Sequence, residues 1–134
     1  MNNYFVDSTI WVEFFKGRKA SIKELVMPLI EEDKIYYNGI VLSELLIGAM
    51  NESEFNFIKD NFQGLHYLET DFDIFEKASL IGFKMRKKGM ILPISDLLIA
   101  LHCRQTNLTL ITMDKHFKII DSEFSLSLHF IDQR

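Results

Sequence analysis

Short apolar runs alternate along this chain with longer stretches in which apolar residues recur every third or fourth position. Tyr4-Phe5-Val6-Asp7 reads as a short buried strand. Ser8-Thr9 offers caps for a helix from about Ile10 to Phe15, stopped by Gly17. From Ala20 to Glu32, Ile22, Leu25, Val26, Leu29 and Ile30 mark one face of a second helix. Ile35-Tyr36-Tyr37, β-branched and aromatic, predicts a second strand. Leu42 to Met50 is helical, and a helix continues or restarts from Glu52 to Asn61. Leu65-His66-Tyr67-Leu68 predicts a third strand. Phe72 to Lys88 is a long amphipathic helix ended by Gly89, and Pro93 precedes another from about Ser95 to Gln105. Leu108 to Ile111 and Ser127 to Ile131 predict the last two strands, and the stretch from Asp114 to Glu123 has room for a short helix.

Strands that alternate with helices imply right-handed βαβ crossovers and a mostly parallel sheet of about five strands, covered on both faces. No repeat, low-complexity segment or linker interrupts the pattern, so residues 1–134 are expected to form one domain.

Composition fits that reading. Hydrophobic residues make up 48% of the chain and aromatic residues 13%, enough for a core without disulfide support. The single cysteine, Cys103, excludes an intramolecular disulfide and a cysteine-based zinc site, and is expected to be an inert core thiol in a reducing cytoplasm. The first residues carry no basic region followed by an apolar stretch, so no signal peptide is expected. No apolar run approaches the ~18 residues of a membrane span. The net charge of −4 argues mildly against a large basic surface for nucleic acid. Two local basic groups, Lys16-Arg18-Lys19 and Lys84-Arg86-Lys87-Lys88, read first as cations that favour helix C-termini and second as phosphate contacts.

Four acids sit where strands hand over to helices. Asp7 ends the first apolar run and Asp114 the fourth; Glu44 and Asp96 open apolar helical stretches. In an open parallel α/β sheet the carboxyl ends of the strands border one crevice. Carboxylates about 5 Å apart repel by roughly 3 kcal/mol at an effective dielectric of about 20. Four of them in one crevice therefore take up protons or a cation, and a hard divalent cation, Mg²⁺ or Mn²⁺, is the simpler answer at neutral pH. Such a cation acidifies a water and neutralises a leaving oxygen, which directs attention to phosphodiester hydrolysis.

The same residues carry a family resemblance. Phe5-Val6-Asp7-Ser8, Ser43-Glu44-Leu45-Leu46-Ile47-Gly48, Gly89 with Pro93 and Asp96-Leu97-Leu98-Ile99-Ala100, and Thr112-Met113-Asp114 with Phe117 follow one another in order. In this the chain resembles, over essentially its whole length, the PIN-domain ribonucleases, and within them the VapC toxins of type II toxin–antitoxin pairs. Leu101 stands where many relatives have a second alanine, a matter of helix packing. The resemblance implies a three-layer α/β/α sandwich and a Mg²⁺- or Mn²⁺-dependent endoribonuclease. Asp7, Glu44, Asp96 and Asp114 would be its catalytic metal ligands, with Ser8 and Thr112 in support. It also implies structured RNA such as transfer RNA as substrate, a homodimer, and a small antitoxin that fills the groove with a basic side chain at the acids. A non-catalytic module binding RNA or antitoxin on the same fold is the alternative.

Each residue also has a plainer role to weigh. Asp7 is a possible helix N-cap; Glu44 and Asp96 would gain from the helix dipole in a first turn, with Ser95 as cap beside Asp96. Asp114 suits a turn. Asp71 and Asp73 are expected to cap and charge the following helix, and Glu13 to lie on a solvated helix face. His66, His102, His116 and His129 lack paired ligand spacing and read as surface or satisfied residues. Trp11 and the phenylalanines read as core or partner interface. Phosphotransfer receivers and haloacid-type phosphatases fit worse: Ser8 and Thr9 stand where a second acid is needed.

Overall fold

The computed structural model describes residues 2–132. In chain order the elements are β1 (Asn3–Val6), α1 (Ser8–Lys16), α2 (Ala20–Glu31), β2 (Ile35–Asn38), α3 (Gly39–Ile47), α4 (Glu52–Phe62), β3 (His66–Leu68), α5 (Phe72–Lys87), α6 (Ile94–Gln105), β4 (Leu108–Thr112), α7 (His116–Glu123) and β5 (Leu128–Phe130). The five strands form one sheet in the order β3-β2-β1-β4-β5, and every pairing is parallel. Helices α1 to α4 pack on one another, and α5, α6 and α7 form a second set. Right-handed crossovers place the two sets on opposite faces, which gives the expected three-layer α/β/α sandwich.

The central strands read as unbroken apolar runs because both faces are covered. Phe5 and Val6 of β1 and Leu110 and Ile111 of β4 are fully buried. Val6 pairs with Ile111, so the two strands end level. β1 leads to α1 on one face and β4 to α7 on the other. The gap between their ends is therefore the place where connections diverge and a crevice opens.

An aromatic cluster seats the first layer. Trp11 lies 5.0 Å from Phe62, 5.5 Å from Phe14 and 5.7 Å from Phe15, ring centre to ring centre. In the opposite layer a Cβ on Gly82 would fall 2.7 Å from Leu97 Cδ1, so α5 and α6 approach more closely than any other residue at 82 permits without displacement. Gly17 ends α1 in the left-handed region, at φ 66°.

Helix starts differ from the sequence expectation at three places. α1 begins at Ser8, with Asp7 at the N-cap position, so neither Ser8 nor Thr9 is the cap. α3 begins at Gly39 rather than Leu42. The weak helix formers Gly39-Ile40-Val41 hide a start that Asn38 fixes by accepting the Val41 N–H at 3.0 Å. Glu44 is consequently the sixth residue of its helix, not a first-turn residue. α6 starts after Pro93, not Ser95; proline there sets the entry angle without a side-chain hydrogen bond. Asp71 does cap α5, accepting from the Ile74 N–H at 3.0 Å, and Asp73 pairs with Lys77 at 2.9 Å.

Candidate active site

The crevice begins with backbone. The Asp7 N–H donates to the Ile111 carbonyl at 3.0 Å, locking the residue after β1 to the end of β4. Two hydroxyls then converge on one carboxylate oxygen: Thr9 and Thr112 each donate to Asp7 Oδ2 at 2.8 Å. Each hydroxyl is itself held by backbone. Thr112 Oγ1 accepts from the Asp114 N–H at 2.9 Å, and Thr9 Oγ1 from the Met113 N–H at 3.2 Å. Asp7 thus occupies an N-cap position without capping; its carboxylate is fixed across the sheet instead. Thr112 orients both Asp7 and the main chain at Asp114.

The other acids arrive from different elements. Asp96, in the first turn of α6, is buried. Asp114 lies just past β4 and is half-buried. Glu44 projects from the middle of α3, and the nearby Ser8 side chain favours its charged form. Burial raises the carboxyl of Asp7 above its ordinary range; the Thr112, Thr9 and Ser8 hydrogen bonds oppose this and Asp114 adds repulsion. Burial likewise raises Glu44, with repulsion from Asp7, Asp96 and Asp114 added. Asp96 is raised by burial, opposed by a bond from His116, and further repelled by Asp114 and Asp7. The fold therefore brings all four acids into one electrostatic neighbourhood and leaves their charge poorly compensated.

His116 borders the same crevice; it is a half-exposed, satisfied histidine as expected, but the partner that satisfies it is a site acid. Its Nδ1 is 2.8 Å from Asp96 Oδ2 and 3.6 Å from Asp114 Oδ1. Ligand atoms of Asp96, Asp114 and His116 all lie within 4.8 Å of one another. The signal was its position two residues after Asp114, where a strand end turns into a helix. His102, in contrast, is a satisfied core residue, 2% exposed. Its Nδ1 takes the Asn38 side-chain N–H at 2.8 Å, and burial pushes its pKa down. Cys103 is buried with its thiol pushed up by burial, as an inert thiol should be. Glu13 departs from the solvated-face expectation: its side chain is 17% exposed, pairs with Arg18 at 3.6 Å and buries Oε2 without a hydrogen-bond partner.

Hard oxygen donors, a nearby imidazole and uncompensated buried charge fit a divalent cation. Beside Glu44 opens an apolar groove of about 490 Å³ between α1, α3 and α4, lined among others by Val12, Phe15, Leu45, Met50 and Phe57. Of the basic groups, Lys84, Arg86 and Lys87 close α5 and Lys16 closes α1, as the helix dipole favours. Lys88 is paired with Glu123 at 2.8 Å.

The PIN domain family model matches residues 4–123, and the chain belongs to that family. Solved structures agree. The chain is similar to the Rickettsia felis VapBC2 complex bound to a promoter DNA fragment, at 25% identity and TM-score 0.79 over 96% of this chain and 98% of that one. It is similar to VapBC-1 of nontypeable Haemophilus influenzae at 26% identity and TM-score 0.75, over 95% and 96%. Mycobacterium tuberculosis VapC20, a sarcin–ricin loop cleaving toxin, shares the fold at 15% identity and TM-score 0.71, over 98% and 99%. No curated protein matches the chain significantly by sequence. No helix among the described residues is long and apolar enough to cross a membrane.

Proposed function

We propose that this chain is a single-domain, metal-dependent endoribonuclease that acts in the cytoplasm as the toxin of a type II toxin–antitoxin pair. The observation that carries the reading is the convergence of Asp7, Glu44, Asp96 and Asp114 at the ends of β1 and β4. Membership of the PIN family and similarity to VapBC complexes support it.

Asp7, Glu44, Asp96 and Asp114 would hold one or two Mg²⁺ or Mn²⁺ ions. When bound, such a cation supplies Lewis-acid charge to the phosphate and acidifies a water for in-line attack. The chain's own part is preorganisation. Thr9 and Thr112 fix the rotamer of Asp7 by bonding one oxygen, and the strand ends fix those hydroxyls in turn. Ser8 favours the charged form of Glu44. Repulsion among the acids disfavours their joint ionisation until a cation is present, so the crevice is poised to bind one.

Structured RNA, transfer RNA included, is the substrate class of this reading, with 3′-hydroxyl and 5′-phosphate products. The antitoxin would lie in the apolar groove, where Met50 is 84% and Phe57 58% exposed, and bring a cation to the acids beside Glu44. Exposed Phe75, Leu80 and Phe83 of α5 offer a face for a homodimer. The test is incubation of purified protein with total RNA, with Mg²⁺ or Mn²⁺ and with EDTA, beside Asp96→Asn. Discrete fragments that need metal and vanish in the variant are expected, and sequencing their ends names the substrate. No cleavage by folded, antitoxin-free protein across many RNAs would leave a non-catalytic binding module.

A further inference from the structure

His116 is held at the crevice from two directions. Its main-chain N–H donates to Asp114 Oδ1 at 2.9 Å, which starts α7 with the side chain turned back toward α6. Its ring Nδ1 then stands 2.8 Å from Asp96 Oδ2 and 3.6 Å from Asp114 Oδ1. Neighbouring ligands of an octahedral cation with bonds of about 2.1 Å are about 3 Å apart, and opposite ligands about 4.2 Å apart. The two His116 distances, 2.8 and 3.6 Å, fall near or inside that range, and one donor atom each from Asp96, Asp114 and His116 lies within 4.8 Å of the others, close to the span of one coordination sphere. A spacing of 2.8 Å suits both a hydrogen bond and two adjacent ligands. The two arrangements differ only in whether the ring nitrogen carries a proton or a cation.

The four acids offer oxygen alone. Mg²⁺ prefers oxygen and gains little from imidazole; Mn²⁺ also favours oxygen but, at the weak end of the first-row transition ions, accepts an imidazole nitrogen more readily than Mg²⁺ does. We infer that His116 is a nitrogen ligand of the crevice, joining Asp96 and Asp114, and that it tilts the site's cation preference from Mg²⁺ toward Mn²⁺. The inference rests on the metal reading of the crevice given above and adds to it a ligand and a selectivity.

The test reads binding rather than cleavage. Mn²⁺ is titrated into the purified protein and followed by electron paramagnetic resonance, with pulsed measurements for ¹⁴N coupling, and Mg²⁺ affinity is taken by competition. Wild type should show an imidazole ¹⁴N coupling on bound Mn²⁺ and prefer Mn²⁺ by about tenfold or more. His116→Gln, which retains a hydrogen-bond donor toward Asp96, should lose the coupling and about tenfold in Mn²⁺ affinity, with Mg²⁺ affinity within about twofold. His116→Ala should do the same, and circular dichroism on both variants verifies the fold. Bound Mn²⁺ without ¹⁴N coupling in wild type, or a coupling and affinity unchanged in both variants, overturns the inference and leaves the four acids as sole ligands. Failure of wild type to bind either ion overturns the metal reading itself, and the inference with it.

Discussion

Two buried polar groups lie at the carboxyl ends of the strands, and they are built on opposite terms. At the end of β2, Asn38 and His102 are 0% and 2% exposed. The Asn38 carbonyl oxygen takes the Val41 N–H, its amide donates to His102 Nδ1, and the far ring nitrogen meets Thr70 at 3.5 Å. Donors match acceptors and no formal charge is needed. At the ends of β1 and β4, two hydroxyls are spent on a single oxygen of Asp7, while four carboxyls repel one another. A polar group satisfied from within holds a fold together. One left charged and short of counter-charge awaits something from outside.

The largest effect that separates them is on chemistry. Asp96→Asn or Asp7→Asn is expected to cut metal-dependent RNA cleavage by about 10²–10³-fold or more, measured on a labelled RNA fragment. Thermal unfolding without cation at pH 8 should show these variants no less stable than wild type, because each removes a repelled, buried charge. A lowered melting temperature would place the acids among structural groups.

Asn38→Ala attacks the other region and should reverse the pattern. It removes the α3 cap and strands the His102 ring, for a loss of about 2–4 kcal/mol in denaturant unfolding. Cleavage per folded molecule should hold within a few fold. Thr112→Val is smaller and lies on the functional side. It leaves Asp7 one bond short and is expected to weaken Mn²⁺ or Mg²⁺ binding about 10-fold, read by calorimetry.

The smallest effect is a pair of opposed pH slopes. Asp7, Glu44 and Asp96 have raised carboxyls, so their contribution to cation-free stability is full below the ordinary carboxylate range and lost as pH rises through their folded values. His102 is lowered, so its contribution is present above the ordinary imidazole value and lost as pH falls through its folded value. Melting temperatures across pH 4–8 should show Asp7→Asn weakening the loss on the alkaline side and leaving the acid side alone. Added Mg²⁺ should stabilise wild type more at pH 8 than at pH 5, since ligation selects the charged carboxyls. Equal stabilisation at both would contradict a site made of these acids.

Much of this was legible from residue pattern. Fully buried strands announce themselves as short apolar runs, so β1, β2 and β4 and the layer order followed directly. Asp7, Asp96 and Asp114 stood out because each lies where such a run, or an apolar helix, begins or ends; Glu44 stood out through a helix start that lies five residues earlier, at Gly39. Helix starts were harder. Gly39, Ile40 and Val41 have weak local preference for helix and are held there by Asn38, a cap recognised only once the strand before it is placed. The place of His116 beside the site was missed because its partner Asp96 is twenty residues away along the chain, and only the meeting of α6 with α7 joins them. Glu13 shows the converse: helical spacing gave it a solvated face, but Arg18, just past Gly17, comes back over it. The Gly82–Leu97 approach was hidden for a similar reason, because a glycine inside a helix does not declare which neighbour needs the space.

The pairing of β1 with β4 also bears on when the crevice comes into being. Asn3 to Val6 sit beside Leu108 to Ile111, and Asp7 takes one of its two hydroxyl bonds from Thr112. A chain still in synthesis can fold β1 against β2 once residue 38 has emerged, but it presents a sheet with one central edge bare. Asp7 has then neither the Ile111 carbonyl for its amide nor Asp96 and Asp114 beside it. The acids can assemble only after residue 114 has cleared the ribosome, so every element from β1 through β4 is made before there is a site with which to act.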